Sequence, residues 1–181
     1  MKSPLLSINT SRCDINVNSA VSGVFQCRIG RLGYIKAENG REGDGKTPLG
    51  EYKIRFGLYR PDRLPAPKSP LTFWPLQSDD GWCDNDNDPA YNRFIRTPYA
   101  ASHETLWRQY GAYDIILVLS HNDSPPQIDK NGRGLGSAVF IHIAQPDDRQ
   151  TLGCVAVTPD VMTKLLPHLH VGMGVKISNQ D

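Results

Sequence analysis

A histidine and a cysteine stand twelve positions apart in the last third of the chain, within Ser137-Ala-Val-Phe-Ile-His142-Ile-Ala-Gln-Pro-Asp-Asp-Arg-Gln-Thr151-Leu-Gly-Cys154-Val-Ala-Val157. A free thiol has a pKa of about 8.5, so only about 3 % is thiolate at pH 7. An imidazole within hydrogen-bond reach supplies the missing base, and a Cys–His pair is then equipped for nucleophilic acyl chemistry. On these two residues alone, a buried structural cysteine beside a satisfied core histidine is an equally good reading. The surroundings must decide.

The pair needs two strands to carry it, and the pattern supplies them. Ala138–Ile143 and Cys154–Val157 are apolar runs of strand length joined by a polar excursion, so pairing them brings thiol and imidazole together. Further strands are expected at Leu5–Ile8, Ile15–Val17, Val21–Ile29, Gly33–Ala37, Leu71–Gln77 and Val175–Ile177. Gly30-Arg-Leu-Gly33 reads as a hairpin turn between the fourth and third of these. In Leu49–Tyr59 the residues Tyr52, Ile54, Phe56 and Leu58 alternate with Glu51, Lys53 and Arg55, which marks a half-buried strand. Tyr113–Leu119 is continuously apolar, as a central strand should be. Pro61, Pro65, Pro67 and Pro70 forbid regular pairing and predict a loop. Asp79–Pro98 is polar and reads as irregular. Ser102 is placed to cap a short helix over His103–Tyr110, and Thr158-Pro159-Asp160 to start another over Asp160–Leu166. His121–Gly136 reads as a loop. The expected fold is mostly β with two short helices: one domain over residues 1–181, with an insertion at about 60–110.

Composition sets outer limits. The chain has 181 residues, 39 % hydrophobic and 22 % charged, with a net charge of +1. Near-neutral charge argues against nucleic acid as a partner. No apolar run is long enough to span a bilayer. Met1–Thr10 carries one lysine, a broken apolar stretch and no small-residue cleavage site, unlike a signal peptide. A cytoplasmic location follows if Met1 is the native start. Four cysteines without a C-x-x-C spacing give neither a disulfide framework nor a zinc site. Gly40-Arg-Glu-Gly-Asp-Gly-Lys46-Thr47 matches the phosphate-loop pattern, but Pro48 and an alternating strand follow where that loop needs a helix. A turn is the better reading. Asp84-Asn-Asp-Asn-Asp88 begins like a calcium loop but has Pro89 and Ile95 where Gly and Glu are needed, so Asx turns are expected. His168 and His170 read as solvent-facing. Trp74, Trp82 and Trp107 read as core or loop anchors, and Trp82 also as a candidate groove wall.

Three separated pieces form a set. Thr47-Pro48-Leu49-Gly50-Glu51-Tyr52 resembles the Thr-Pro-x-Gly-x-aromatic signature of the L,D-transpeptidase catalytic domain (YkuD-like) family. His142 resembles that family's base, and Thr151-Leu152-Gly153-Cys154-Val155 its nucleophile motif. Gly81-Trp-Cys-Asp84, Tyr91-Asn92, Leu106-Trp-Arg108 and Tyr113-Asp114 resemble a subgroup with a longer central insertion. The resemblance runs over about residues 21–178.

It implies a β-sandwich-like domain acting on peptidoglycan stem peptides without a cofactor or metal, as a monomer in the periplasm or cell envelope. Cys154 would be nucleophile and His142 base then acid. The amides of Gly153 and Cys154, with Leu152, would form the oxyanion hole, and the Ile143 carbonyl would fix the histidine tautomer. The family's reaction is attack on the bond between diaminopimelate and the terminal D-Ala of a tetrapeptide. The acyl group then passes to an amine, or to water in an L,D-carboxypeptidase. Two departures stand out: Ala156 replaces a frequent arginine, and Ile143 a frequent small residue. The cation for a substrate carboxylate is therefore expected from Arg133 or Arg149, with Thr151, His121 and Trp82 as further substrate-binding candidates. A non-catalytic peptidoglycan-binding module and a general cysteine protease remain as competing readings.

Overall fold

The computed structural model describes residues 5–17, 23–145, 147 and 149–179. The predicted strand segment 21–22 lies outside them. The chain runs β1 (Leu5–Asn9), β2 (Asp14–Val17), β3 (Phe25–Arg28), β4 (Tyr34–Lys36), β5 (Thr47–Tyr59), β6 (Phe73–Pro75), β7 (Asp80–Cys83), β8 (Phe94–Arg96) and β9 (His103–Thr105). It continues through β10 (Ile115–Leu119), β11 (Phe140–Ile143), β12 (Val155–Val157), α1 (Pro159–Leu165) and β13 (Gly174–Ser178). No helix among the described residues is long and apolar enough to cross a membrane.

Two layers share their corner strands. One has the order β3-β2-β1-β13-β5, the other β3-β12-β11-β10-β5. β3 pairs with β2 through Phe25 and Gln26, and with β12 through Cys27 and Arg28. β5 pairs with β13 through Gly50–Lys53 and with β10 from Ile54 to Tyr59. A single strand thus turns the corner between layers, as sandwich corners require. The interior is apolar: Leu6, Ile8, Ile54, Leu117, Ile141, Val155 and Val175 meet there, joined by Val161, Met162 and Leu165 of α1. Thr158 caps that helix, its hydroxyl accepting from the Val161 amide at 3.3 Å.

The mostly β, sandwich-like expectation holds, and the long alternating strand and the central strand at 115–119 form as read. Other expectations change. Residues 103–110 are not a helix: β9 pairs antiparallel with β7, in the register Cys83↔His103 and Trp82↔Glu104. The polar stretch 79–98 contains β7 and β8, so a second, three-stranded sheet in the order β8-β7-β9 is formed by the chain between β6 and β10. Its inner strand β7 is buried at all four positions, which holds the polar flanks in place. The turn at Gly30–Gly33 closes, with the Gly33 amide on the Gly30 carbonyl at 2.8 Å, but it does not make a hairpin. β4 pairs parallel with the start of β5 instead. Trp74 is exposed, and His168 and His170 are half-buried rather than solvent-facing.

Candidate active site

The strand period sorts the residues of β10, β11 and β12 to two faces. Ile115, Leu117, Ile141, Val155 and Val157 point into the main core. Ile116, Val118 and Phe140 point the other way, into a second cluster against which Cys154 packs. His142, two positions after Phe140, shares that outer face. β11 and β12 pair in parallel with His142 opposite Ala156 and Ile141 opposite Val155. Cys154 therefore lies abreast of Phe140, one same-face step from His142, roughly 7 Å along the strand. Both line one cleft of about 1090 Å³.

The cysteine is held from both sides. Its Sγ donates to the Ala138 carbonyl at 3.1 Å and accepts from the Phe140 amide at 3.5 Å. Ala138 takes a left-handed φ of 50°, unusual for a residue with a Cβ, where its N–H donates to Asn92 Oδ1 at 3.1 Å. Asn92 is a knot: its Oδ1 also accepts from Trp82 Nε1, and its Nδ2 donates to the carbonyls of His121 and Asn122. On the other flank, Thr47 Oγ1 accepts from the Gly30 amide at 2.8 Å and donates to the Gly153 carbonyl at 2.9 Å. This is the physical content of the Thr-Pro signature: its hydroxyl clamps the turn that leads into Cys154.

The histidine is buried. Its Nδ1 lies 2.9 Å from the Ile143 carbonyl, the partner expected for it. A carbonyl only accepts, so Nδ1 carries the hydrogen of the neutral ring and Nε2 is the basic atom. Burial pushes His142 down to about 4; the Ile143 and Ala112 carbonyls favour the protonated ring, and the Arg108 charge opposes it. Burial likewise pushes the Cys154 thiol up to about 12, reinforced by Glu104 and opposed by the Phe140 amide and Arg108. Near neutral pH the thiol of Cys154 and the imidazole of His142 are both neutral, so any use of this thiol as a nucleophile needs a proton transfer.

The other candidates separate. Thr151 faces inward: its hydroxyl donates to the Cys154 carbonyl at 2.6 Å and accepts from the Gly153 amide at 3.2 Å. That makes it a brace of the turn, and it engages the Gly153 amide expected in the oxyanion hole. Leu152 lies exposed on the rim. His121 lines the cleft but is buried, its Nε2 on the Leu135 carbonyl at 3.2 Å and its ring edge-on to Tyr52. It pins the loop that follows β10. Trp82 is buried against Phe140, ring centroids 5.2 Å apart, and anchors the second sheet rather than walling the groove. Arg133 does not line the cleft; it lies at an adjoining polar pocket that shares Arg41 and Glu42 with it. Arg149 does reach the cleft rim, in an exposed ion pair with Asp147 at 2.8 Å.

Tyr113, Glu104 and Arg108, the first and last of them part of the subgroup resemblance, meet beside His142. Tyr113 packs edge-on against the His142 ring at 5.1 Å and donates to Glu104 Oε1 at 2.5 Å. The same oxygen accepts from Arg108 Nη2 at 2.7 Å. The stretch that holds Glu104 and Arg108 is expected from the sequence as a helix over His103–Tyr110.

Comparison with known proteins agrees with this geometry. The chain is similar in fold to Bdellovibrio bacteriovorus Bd1075, at 15 % identity and a TM-score of 0.53, covering 98 % of this chain and 48 % of that one. It also aligns with L,D-transpeptidase 1 of Mycobacterium tuberculosis, at 12 % identity and a TM-score of 0.45, over 97 % of this chain and 62 % of that one. The chain thus spans about half to three-fifths of the length of these structures. No curated protein matches. The family model of the L,D-transpeptidase catalytic domain (YkuD) matches residues 5–177, from the first strand to the last, and the chain belongs to that family.

Proposed function

We propose that the protein is a cysteine acyl transferase acting on peptidoglycan stem peptides, with Cys154 as nucleophile and His142 as general base and acid. The Cys154 Sγ attacks the carbonyl carbon of diaminopimelate while its proton passes to His142 Nε2. The C–N bond to the terminal D-Ala then breaks, and His142 returns the proton to the departing amine. The resulting thioester is attacked by an acceptor amine, whose proton goes to His142. The C–S bond breaks and the thiol is re-protonated. The amides of Cys154 and Leu152 are the donors left for the oxyanion, because that of Gly153 is engaged by Thr151.

The observation that carries this reading is the His142 Nδ1–Ile143 carbonyl contact, which leaves the basic nitrogen on the face that Cys154 shares. Its test is incubation with a disaccharide tetrapeptide, with and without a D-amino acid, followed by mass spectrometry. Exchange of the terminal residue is expected. Loss of D-Ala without exchange would assign an L,D-carboxypeptidase using the same pair, and an unchanged peptide would leave a binding module. Cys154→Ala should abolish any product while melting stays within a few degrees of the parent; surviving turnover overturns the assignment.

A further inference from the structure

We propose that Arg108, held by Glu104 across the face of Tyr113, is the group that reads the substrate's free carboxylate, taking the terminal carboxylate of the residue beyond the scissile bond. This rests on the acyl-transfer reading above and adds the specificity determinant that reading lacks. Ala156, opposite His142, offers no charge. The replacement arrives from the second sheet.

Three observations converge on Arg108. Its guanidinium lies 4.9 Å from the Tyr113 ring centroid, and the same ring lies 5.1 Å from His142. The cation is therefore one aromatic ring away from the base, at the wall of the cleft it lines. Its hydrogen-bonding is also incomplete. Nη2 is on Glu104, but the buried Nε has no acceptor among the described residues. That Nε is out of a ligand's reach, but the Arg108 side chain as a whole is 41 % exposed, and a guanidinium edge open to the cleft matches a carboxylate fork. Finally, the side chain is preset. Buried Arg60 stacks on Trp107 at 3.8 Å, pairs with Asp62 and donates to the Arg108 carbonyl, which fixes the backbone that presents it.

Two other cations that line the cleft already have acidic partners. Arg41 is engaged with Asp129 at 3.1 Å, and Arg149 with Asp147 in water at the rim. Arg108 is the cation whose charge is felt at both Cys154 and His142.

The experiment compares two tetrapeptide stems, one ending in D-alanine and one in D-alaninamide, against the parent protein, Arg108→Gln and Arg108→Lys. The parent should cleave the acid roughly 10- to 100-fold more efficiently than the amide, the size of a lost charged hydrogen bond. Arg108→Gln should bring the acid down to the amide's level, through KM chiefly, so that the acid-to-amide preference falls to about one; Arg108→Lys should recover part of the preference. Equal loss on both peptides, or no loss on either, overturns the proposal while leaving the acyl-transfer reading standing. A parent protein that cleaves neither peptide overturns both together.

Discussion

On the proposed acyl-transfer reading, a thiol pushed up to about 12 and an imidazole pushed down to about 4 leave the pair uncharged until substrate arrives. Alkylation tests this directly, because only thiolate reacts. Iodoacetamide should label Cys154 more slowly at pH 7 than it labels an ordinary exposed thiol. The rate should rise about tenfold per pH unit through pH 10, followed at this residue by peptide mapping. A plateau below pH 8 would reveal a preformed thiolate–imidazolium pair. The histidine adds a stability prediction. Its folded pKa is depressed, so the unfolded chain takes the proton first. The stability is intact above about pH 6.5 and is lost as pH falls toward 4, by on the order of 3 kcal/mol. Denaturant unfolding of the parent and of His142→Gln at pH 7 and pH 4 should show this loss in the parent alone; parallel losses would mean that other groups carry the acid limb.

Beneath the cysteine, three stretches of backbone meet without side chains between them. A Cβ on Gly30 would lie 2.5 Å from the Gly45 carbonyl oxygen and 2.8 Å from Lys46 Cα, and one on Gly153 3.0 Å from the Lys46 oxygen. Main chain cannot swing aside as a side chain can. Gly30→Ala should therefore cost about 1–3 kcal/mol and reduce turnover by shifting the nucleophile turn. Gly174→Ala, whose Cβ meets only the Leu5 side chain, should leave kinetics unchanged. Thermal melts with steady-state kinetics compare the two, and an unimpaired Gly30→Ala would show that the turn floats free of β5. This convergence also marks the limit of sequence reading. Strands whose residues alternate or run apolar, such as β5 and β10, announce themselves locally. So did the Cys–His pair and the Thr47 motif. The second sheet did not, because β7, β8 and β9 are short and mixed in polarity, and hold together by pairing across distant segments. Ser102 and Glu104 carry a helix-start pattern, but pairing of β9 with β7 and burial of Glu104 beside Tyr113 and Arg108 override it. Arg133 was nominated by proximity along the chain, whereas Arg108 comes near by folding.

The molecule as a whole has two apolar bodies on opposite faces of β10 and β11, and the cleft belongs to only one of them. Leu117 sits in the main core and Leu106 in the second cluster, each with no exposed surface. Truncating either to alanine should destabilise by about 2–5 kcal/mol, since both leave a buried cavity. Their kinetic consequences should differ. Leu106 stands between Glu104 and Arg108, so a cavity there lets the second sheet settle and moves the guanidinium relative to Tyr113 and His142. Leu117 lies behind β10, where the sheet itself separates the cavity from the cleft. At a temperature where both variants remain folded, Leu106→Ala should show a raised KM for stem peptides, and Leu117→Ala parental kinetics. Equal kinetic damage would mean that the sandwich transmits strain through β10, and that the second sheet is a passive cover rather than the part that sets the substrate-reading wall.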